Sequence, residues 1–329
     1  MNGCIFCHAK SVALTDEHVF PAAIGGKLVV KRATCARCNH GFSKFEKPLL
    51  TELAPVRAFL RIKNRRGCVP EVQTTLRTPH EEYAGKLKSD GTVQPKRTVT
   101  EVKKADGSRE FVHRHLSDRQ REDLIREAAE KGLRYEVLAP GESVRAEVHL
   151  GGNLDEIGSL NGLRTVAKIA YLGLAYLGGV RFALGDSFRK VRDFIMTGAG
   201  SPATRQFANY NFASEVAQGP HQHSIMLAGR HDQKRVDAIV RLFGGLCYFA
   251  SLSDCYHGAD FNKMLVYDAH RGEQDAVLVS HLETELLQLE IVRTSPMTIW
   301  DDLPASGKFF CDFLEKAFRG TPLPELTIR

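Results

Sequence analysis

The sequence predicts an α+β protein, with a small cysteine-bracketed N-terminal module followed by a larger α+β domain of unknown type. Three observations carry this reading. Two Cys-x2-Cys pairs, Cys4–Cys7 and Cys35–Cys38, lie ahead of Asn39. Short runs between Val69 and Leu116 alternate polar and apolar residues, as half-buried strands do. Two later segments, "SDRQREDLIREAAEKG" and "LRTVAKIAYLGLAYLGG", carry helical patterns.

In the first 66 residues, "AAIGGKLVVKRATC" predicts a turn at Gly25–Gly26 and a short strand through Val29 and Val30. A helix is expected from near Asn39 through "FSKFEKPLL", limited or kinked by Pro48. "VRAFLRIKNRRG" reads as a basic segment leading out of this module, so the expected division is 1–66 and 67–329. Beyond it, turns at Asp90–Gly91 and Asp106–Gly107 join antiparallel strands. Ser117 suits an N-cap and Gly132 a stop for the next helix. "RYEVLAP" and "VRAEVHLGG" are strand candidates. A long helix over about Leu163–Leu177 mixes small and large apolar residues, which suits burial. "DSFRKVRDFIMTG" predicts a helix with Asp186 as N-cap and Gly198 as stop. "HSIMLAG", "RVDAIVRLFGGLCYFASLS" and "KMLVYDAH" read as strands, and "GKFFCDFLEKAFRG" as an amphipathic helix.

The composition, 43% hydrophobic and 26% charged, is that of a soluble globular protein. Met1–Phe20 holds no apolar run of the signal-peptide kind. The most apolar stretch, from Ile169, is short for a membrane span and is broken by Arg181. A cytoplasmic protein that does not cross a membrane is therefore expected. The net charge of +6 is unevenly placed: residues 1–66 hold 12 Lys or Arg against 4 Asp or Glu. Such a concentration suits a polyanion such as nucleic acid, although a solvated basic face has the same composition.

Paired Cys-x2-Cys spacing in an intracellular chain argues for a metal rather than for disulfides. Each knuckle offers two thiolates from one tight turn, and two knuckles complete a tetrahedral Zn2+ shell. Cys4, Cys7, Cys35 and Cys38 are thus predicted to hold a structural zinc, and the small module is expected to depend on it for folding. Cys68, Cys247, Cys255 and Cys311 are scattered and read as buried small apolar residues.

Inside this frame the chain reads "TDEHVFPAAIGG", and "CARCN" closes it. The order Cys-x2-Cys, Glu-His-x-x-Pro, Gly-Gly, Cys-x2-Cys-Asn resembles the HNH endonucleases of the zinc-bracketed ββα-metal branch. The resemblance covers about residues 4–46. It implies a ββα-metal fold and metal-dependent hydrolysis of phosphodiester bonds in DNA. His18 would be the general base, since a neutral imidazole can take a proton from water near neutral pH. Glu17 and Asn39 would hold a catalytic Mg2+ or Mn2+, hard cations that prefer oxygen ligands. Lys31, Arg32, Arg37 and Lys44 would hold the phosphate backbone. A nuclease with one site per chain often cuts both strands as a homodimer, so a homodimer enters as an expectation.

Neighbouring side chains on a strand point to opposite faces. Glu17 and His18 therefore serve one site only at a bend or a strand edge, and Pro21 with Gly25–Gly26 suits irregular backbone here. Asp16 is a rival ligand, but the family pattern puts the acid directly before the histidine. The third His or Asn of many members is missing here, where the chain reads Glu46, Lys47, Pro48. Glu46 is a candidate substitute, His40 is expected to point elsewhere, and His8 is expected to be exposed or to support a ligand rather than to be one. The alternative function is a non-catalytic zinc module that binds nucleic acid or protein. A redox role for the thiols leaves the basic N-terminus and Asn39 without a purpose.

Overall fold

In a computed structural model of the protein, the described residues are 3–77, 82–90, 92–96, 98–106, 109–114, 118–134, 147–150, 155–200, 204–207 and 219–270. The chain begins with strands β1 (Leu14–His18) and β2 (Val29–Cys35) and helices α1 (Ala36–Glu52) and α2 (Ala54–Phe59). Then come β3 (Val72–Arg77), β4 (Glu82–Leu87), β5 (Val93–Pro95), β6 (Thr98–Lys103), β7 (Arg109–Arg114), α3 (Asp118–Glu130) and β8 (Glu147–Leu150). The helices α4 (Asp155–Gly158), α5 (Leu160–Gly178), α6 (Val180–Ala183) and α7 (Arg189–Thr197) follow. The strands β9 (Thr204–Phe207), β10 (Gln222–Arg230), β11 (Arg235–Leu242), β12 (Leu246–Ser253) and β13 (Phe261–Asp268) complete the order.

The chain forms two compact units, and they do not divide as 1–66 and 67–329. One unit is Met1–Pro70 with Gly152–Thr321, and the other is Glu71–Gly151 with Pro322–Arg329. The physical reason is shared burial. Residues of the cysteine-bracketed module, α5 and β10–β13 belong to one continuous apolar core, from Ile5 and Phe42 through Tyr171 to Tyr267.

In this first unit, α5 is buried almost without interruption from Gly162 to Ala175, which explains its lack of a polar face. Ser159 caps it, accepting from the Gly162 N–H at 3.1 Å. The helix packs against α1 and also against the sheet. That sheet is antiparallel, in the order β13-β10-β11-β12-β9. Gly173 allows the close approach, since a Cβ there would lie 2.7 Å from the Ile225 side chain.

In the second unit, β5-β4-β3-β8 form one antiparallel sheet, and β6 and β7 a separate hairpin. Gly132, at φ +63°, ends α3 as expected.

Several local expectations change. Helix α1 starts at Ala36 rather than near Asn39, because Cys35 is its N-cap residue and the second knuckle is built into its first turn. It runs through Pro48 to Glu52. The start of the segment read as a basic exit, Val56–Phe59, lies in α2 (Ala54–Phe59), where Arg57 is buried. Asp186 lies in a 3-10 turn, Asp186–Phe188, and α7 begins after it; Gly198 does terminate α7 in the left-handed conformation. Cys247 is buried, but Cys68 and Cys255 are exposed and fill no core space. Ser117, most of "RYEVLAP", Cys311 and the "GKFFCDFLEKAFRG" segment lie outside the described residues. Among the described residues no helix is long and apolar enough to cross a membrane.

Candidate active site

The site starts from the two cysteine knuckles. In the first, the His8 N–H donates to Cys4 O at 2.9 Å, folding Cys4–Cys7 into a tight turn. In the second, Cys35 precedes the helix and Cys38 lies on its first turn, so the Cys-x2-Cys spacing turns both thiols to one side. The ligand atoms of Cys4, Cys7, Cys35 and Cys38 all lie within 4.8 Å of one another, and Cys7 Sγ is 3.7 Å from Cys35 Sγ. Four sulfurs each about 2.3 Å from a central ion have this separation in a tetrahedron, so the cluster can hold zinc. Burial raises the Cys4 and Cys38 thiols above their ordinary range, while hydrogen bonds from Cys38 lower Cys35.

The knuckles are tied to the strands by an irregularity. Thr15 pairs with Thr34, but Glu17 pairs with Val30, so β2 carries extra residues opposite Asp16. Arg32, at φ +48°, lies in this bulge. Ala33 O turns away from the ladder and accepts from Ile5 N–H at 2.9 Å, binding the first knuckle to β2. Asp16 stabilises the bulge, accepting from Arg32 N–H at 3.0 Å and from Lys31 Nζ at 2.8 Å. These bonds hold its carboxyl below the usual range, Lys31 first. Its exposed carboxylate is therefore already engaged, which separates Asp16 from Glu17 as a ligand candidate.

The irregularity lies just before Glu17, in the bulge opposite Asp16, and His18 is the last residue of β1. Burial alternates from exposed Asp16 to buried Glu17 to half-buried His18. Glu17 points inward. Its Oε1 accepts from Lys168 Nζ at 2.8 Å, while its Oε2 is buried without a hydrogen-bond partner. Lys168 also donates to Glu46 Oε1 at 2.6 Å, and its Nζ lies 4.6 Å from the centroid of the Phe42 ring. Burial raises the Glu17 carboxyl above its ordinary range, and the Lys168 charge opposes that. His18 is held below its usual value by burial and then by the positive charges of Arg65 and Lys168.

Asn39, Phe42 and Glu46 share one stripe of α1 at helical spacing. Asn39 is exposed and donates from Nδ2 to Thr15 Oγ1 at 3.5 Å, two residues before Glu17. The fold thus puts Asn39 against β1 beside the Glu17–His18 segment. It also brings Glu46, the candidate substitute ligand, to the lysine that holds Glu17. Arg37 and Lys44 are exposed on α1, and Lys31 is exposed but paired with Asp16. His8 and His40 are exposed.

The segment after His18 is fixed by the sheet. His223 Nδ1 accepts from Phe243 N–H at 3.1 Å, so Nε2 carries the proton and donates to Ile24 O at 3.0 Å. Tyr267 Oη donates to Gly25 O at 2.7 Å. Between them Phe20 stacks on Tyr267 and lies against His223. Gly26 is required here, because a Cβ would fall 1.9 Å from Phe20 O.

The topology is now β1, β2, α1 with paired cysteines at both ends and a Glu-His pair ending the first strand. Residues 4–53 match the family model described as HNH endonuclease. The matched segment spans 50 of the 329 residues, and it includes the four cysteines, Glu17, His18, Asn39 and Glu46. No curated protein and no solved structure matches the chain. Lys168, which binds Glu17, and Arg65, whose charge helps to lower His18, lie outside the matched residues and had no place in the sequence reading. A lone lysine inside an apolar helix was a signal available for Lys168, because such a charge is buried only with a partner. Arg65 carried no local signal.

Proposed function

We propose that the protein is a metal-dependent HNH endonuclease that hydrolyses phosphodiester bonds in DNA. The observation that carries this reading is the joint position of Glu17–His18 at the end of β1 and Asn39 on the early turns of α1, inside the four-cysteine frame. A purely structural zinc ribbon requires none of these three residues. In this reading neutral His18 takes the proton from the attacking water. Glu17, through its unpartnered Oε2, and Asn39 hold Mg2+ or Mn2+. A cation held there would supply charge neutralisation at the scissile phosphate and its leaving oxygen. Lys31, Arg32, Arg37 and Lys44 grip the DNA backbone as salt-sensitive contacts. One such site per chain cuts one strand, so a homodimer is the assembly that makes double-strand breaks. A cytoplasmic location and a substrate-binding, regulatory or oligomerisation role for residues beyond the module belong to the same proposal.

The test is supercoiled plasmid incubated with zinc-loaded protein in Mg2+ or Mn2+, beside His18→Ala. Metal-dependent nicking lost in the variant is expected; absence of nicking, or equal nicking by His18→Ala, overturns the reading. One observation favours a second reading, a non-catalytic zinc module that binds nucleic acid or protein: Glu17 Oε1 is already taken by Lys168. Retarded DNA migration without cleavage is its signature.

A further inference from the structure

Lys168 is the one charged residue between Thr165 and Leu177 of α5, and it comes from outside the matched segment. Its side chain is 4% exposed, against 7% for Glu17 and 14% for Glu46. Two of its three donors are used on the two carboxylates, and the ammonium faces the Phe42 ring. The buried Glu17 and the part-buried Glu46 share this one ammonium, in a place where an unpaired polar oxygen is costly. Such an oxygen is Glu17 Oε2, buried and unpartnered while Oε1 is fixed. The lysine is itself anchored. One turn on, the Tyr171 hydroxyl lies 3.0 Å from Ile5 O and 2.7 Å from Ala183 O, tying α5 to the first cysteine knuckle.

We propose that Lys168 is a positioning residue of the nuclease site. It holds one oxygen of Glu17 and presents the other to the divalent cation, with Glu46 holding the lysine from the opposite side. This rests on Glu17 being a metal ligand. Carboxylates that bind metals are commonly oriented by such a hydrogen bond, and loss of the partner weakens metal binding by about 10–100-fold. The helix α5 is then a functional part of the site and not only its support. The competing reading is that the ammonium occupies the cation's place, and it makes the opposite prediction for affinity.

The experiment is Mn2+ titration of the zinc-loaded full chain followed by electron paramagnetic resonance, with plasmid nicking as a separate readout. Wild type, Glu17→Gln, Lys168→Met and Lys168→Arg are compared, with zinc content measured in each. Expected are Mn2+ binding by wild type and its loss in Glu17→Gln. Lys168→Met should weaken binding by about 10–100-fold, with a matching rise in the Mn2+ needed for half-maximal nicking. Lys168→Arg should recover part of it, and zinc should stay at about one per chain in all. If Lys168→Met is not obtained folded, Lys168→Gln, which keeps a donor without the charge, is titrated and should also bind more weakly. Unchanged or tighter Mn2+ binding in the Lys168 variants, with wild type binding through Glu17, overturns the positioning role alone. No Mn2+ binding by wild type, or binding indifferent to Glu17→Gln, overturns the assignment of Glu17 and the inference with it.

Discussion

The ammonium of Lys168 lies 2.8 Å from Oε1 of Glu17, although 151 residues separate them in sequence. Glu46 shares the same ammonium, so the three side chains respond unequally to substitution. Lys168→Met strands two carboxylates and should cost about 3–5 kcal/mol. Glu17→Gln leaves the Lys168–Glu46 pair intact and should cost about 1 kcal/mol. Urea unfolding of the zinc-loaded proteins measures both, and equal costs would contradict the three-residue arrangement.

Replacing Cys35 and Cys38 together by serine should abolish zinc binding, because two thiols of one knuckle cannot complete a tetrahedral shell. Core residues around the cluster, including Ile5, Phe6 and Phe42, should lose protection from amide exchange. Elemental analysis together with hydrogen exchange checks this; retained zinc would contradict it.

His223 supplies a pH dependence with a definite sign. Complete burial pushes its pKa down from the ordinary 6.5 to about 4. The folded protein therefore favours neutral imidazole, whose Nδ1 must stay free to accept from Phe243 N–H. Its contribution is fully present above pH 6.5 and is lost as pH falls toward 4, by about 3 kcal/mol at that point. The urea midpoint should drop across this window, and His223→Phe should flatten the drop while lowering stability at neutral pH.

His18 is also displaced downward, by burial first and then by Arg65 and Lys168. A base with a lowered value stays neutral further into acid. If His18 is the general base, the acid limb of plasmid nicking should have its midpoint below 6.5. A midpoint at or above that value would contradict the assignment.

Gly26 and Gly41 make a matched pair. Gly26→Ala would place a Cβ 1.9 Å from Phe20 O and should cost at least about 2 kcal/mol, disturbing the loop after His18. Gly41→Ala in α1 meets nothing within 4 Å and should add about 0.5–1 kcal/mol. Thermal melting of the two variants beside wild type reads both signs.

The sequence by itself determined the cysteine frame, the turn at Gly25–Gly26, the buried character of α5 and the candidacy of Glu17, His18 and Asn39. These are local matters. Two residues between cysteines, a glycine at positive φ and a long apolar run act through covalent geometry and solvent exclusion over a few residues. Only the tertiary structure decided that Asp16 caps a bulge while Glu17 turns inward. It alone joined residues 1–70 to the later helices and sheet. It also put Lys168 between Glu17 and Glu46 and set Arg65 to act on His18. Those outcomes depend on which faces are buried together, and burial is where a charge must find its partner however distant in sequence.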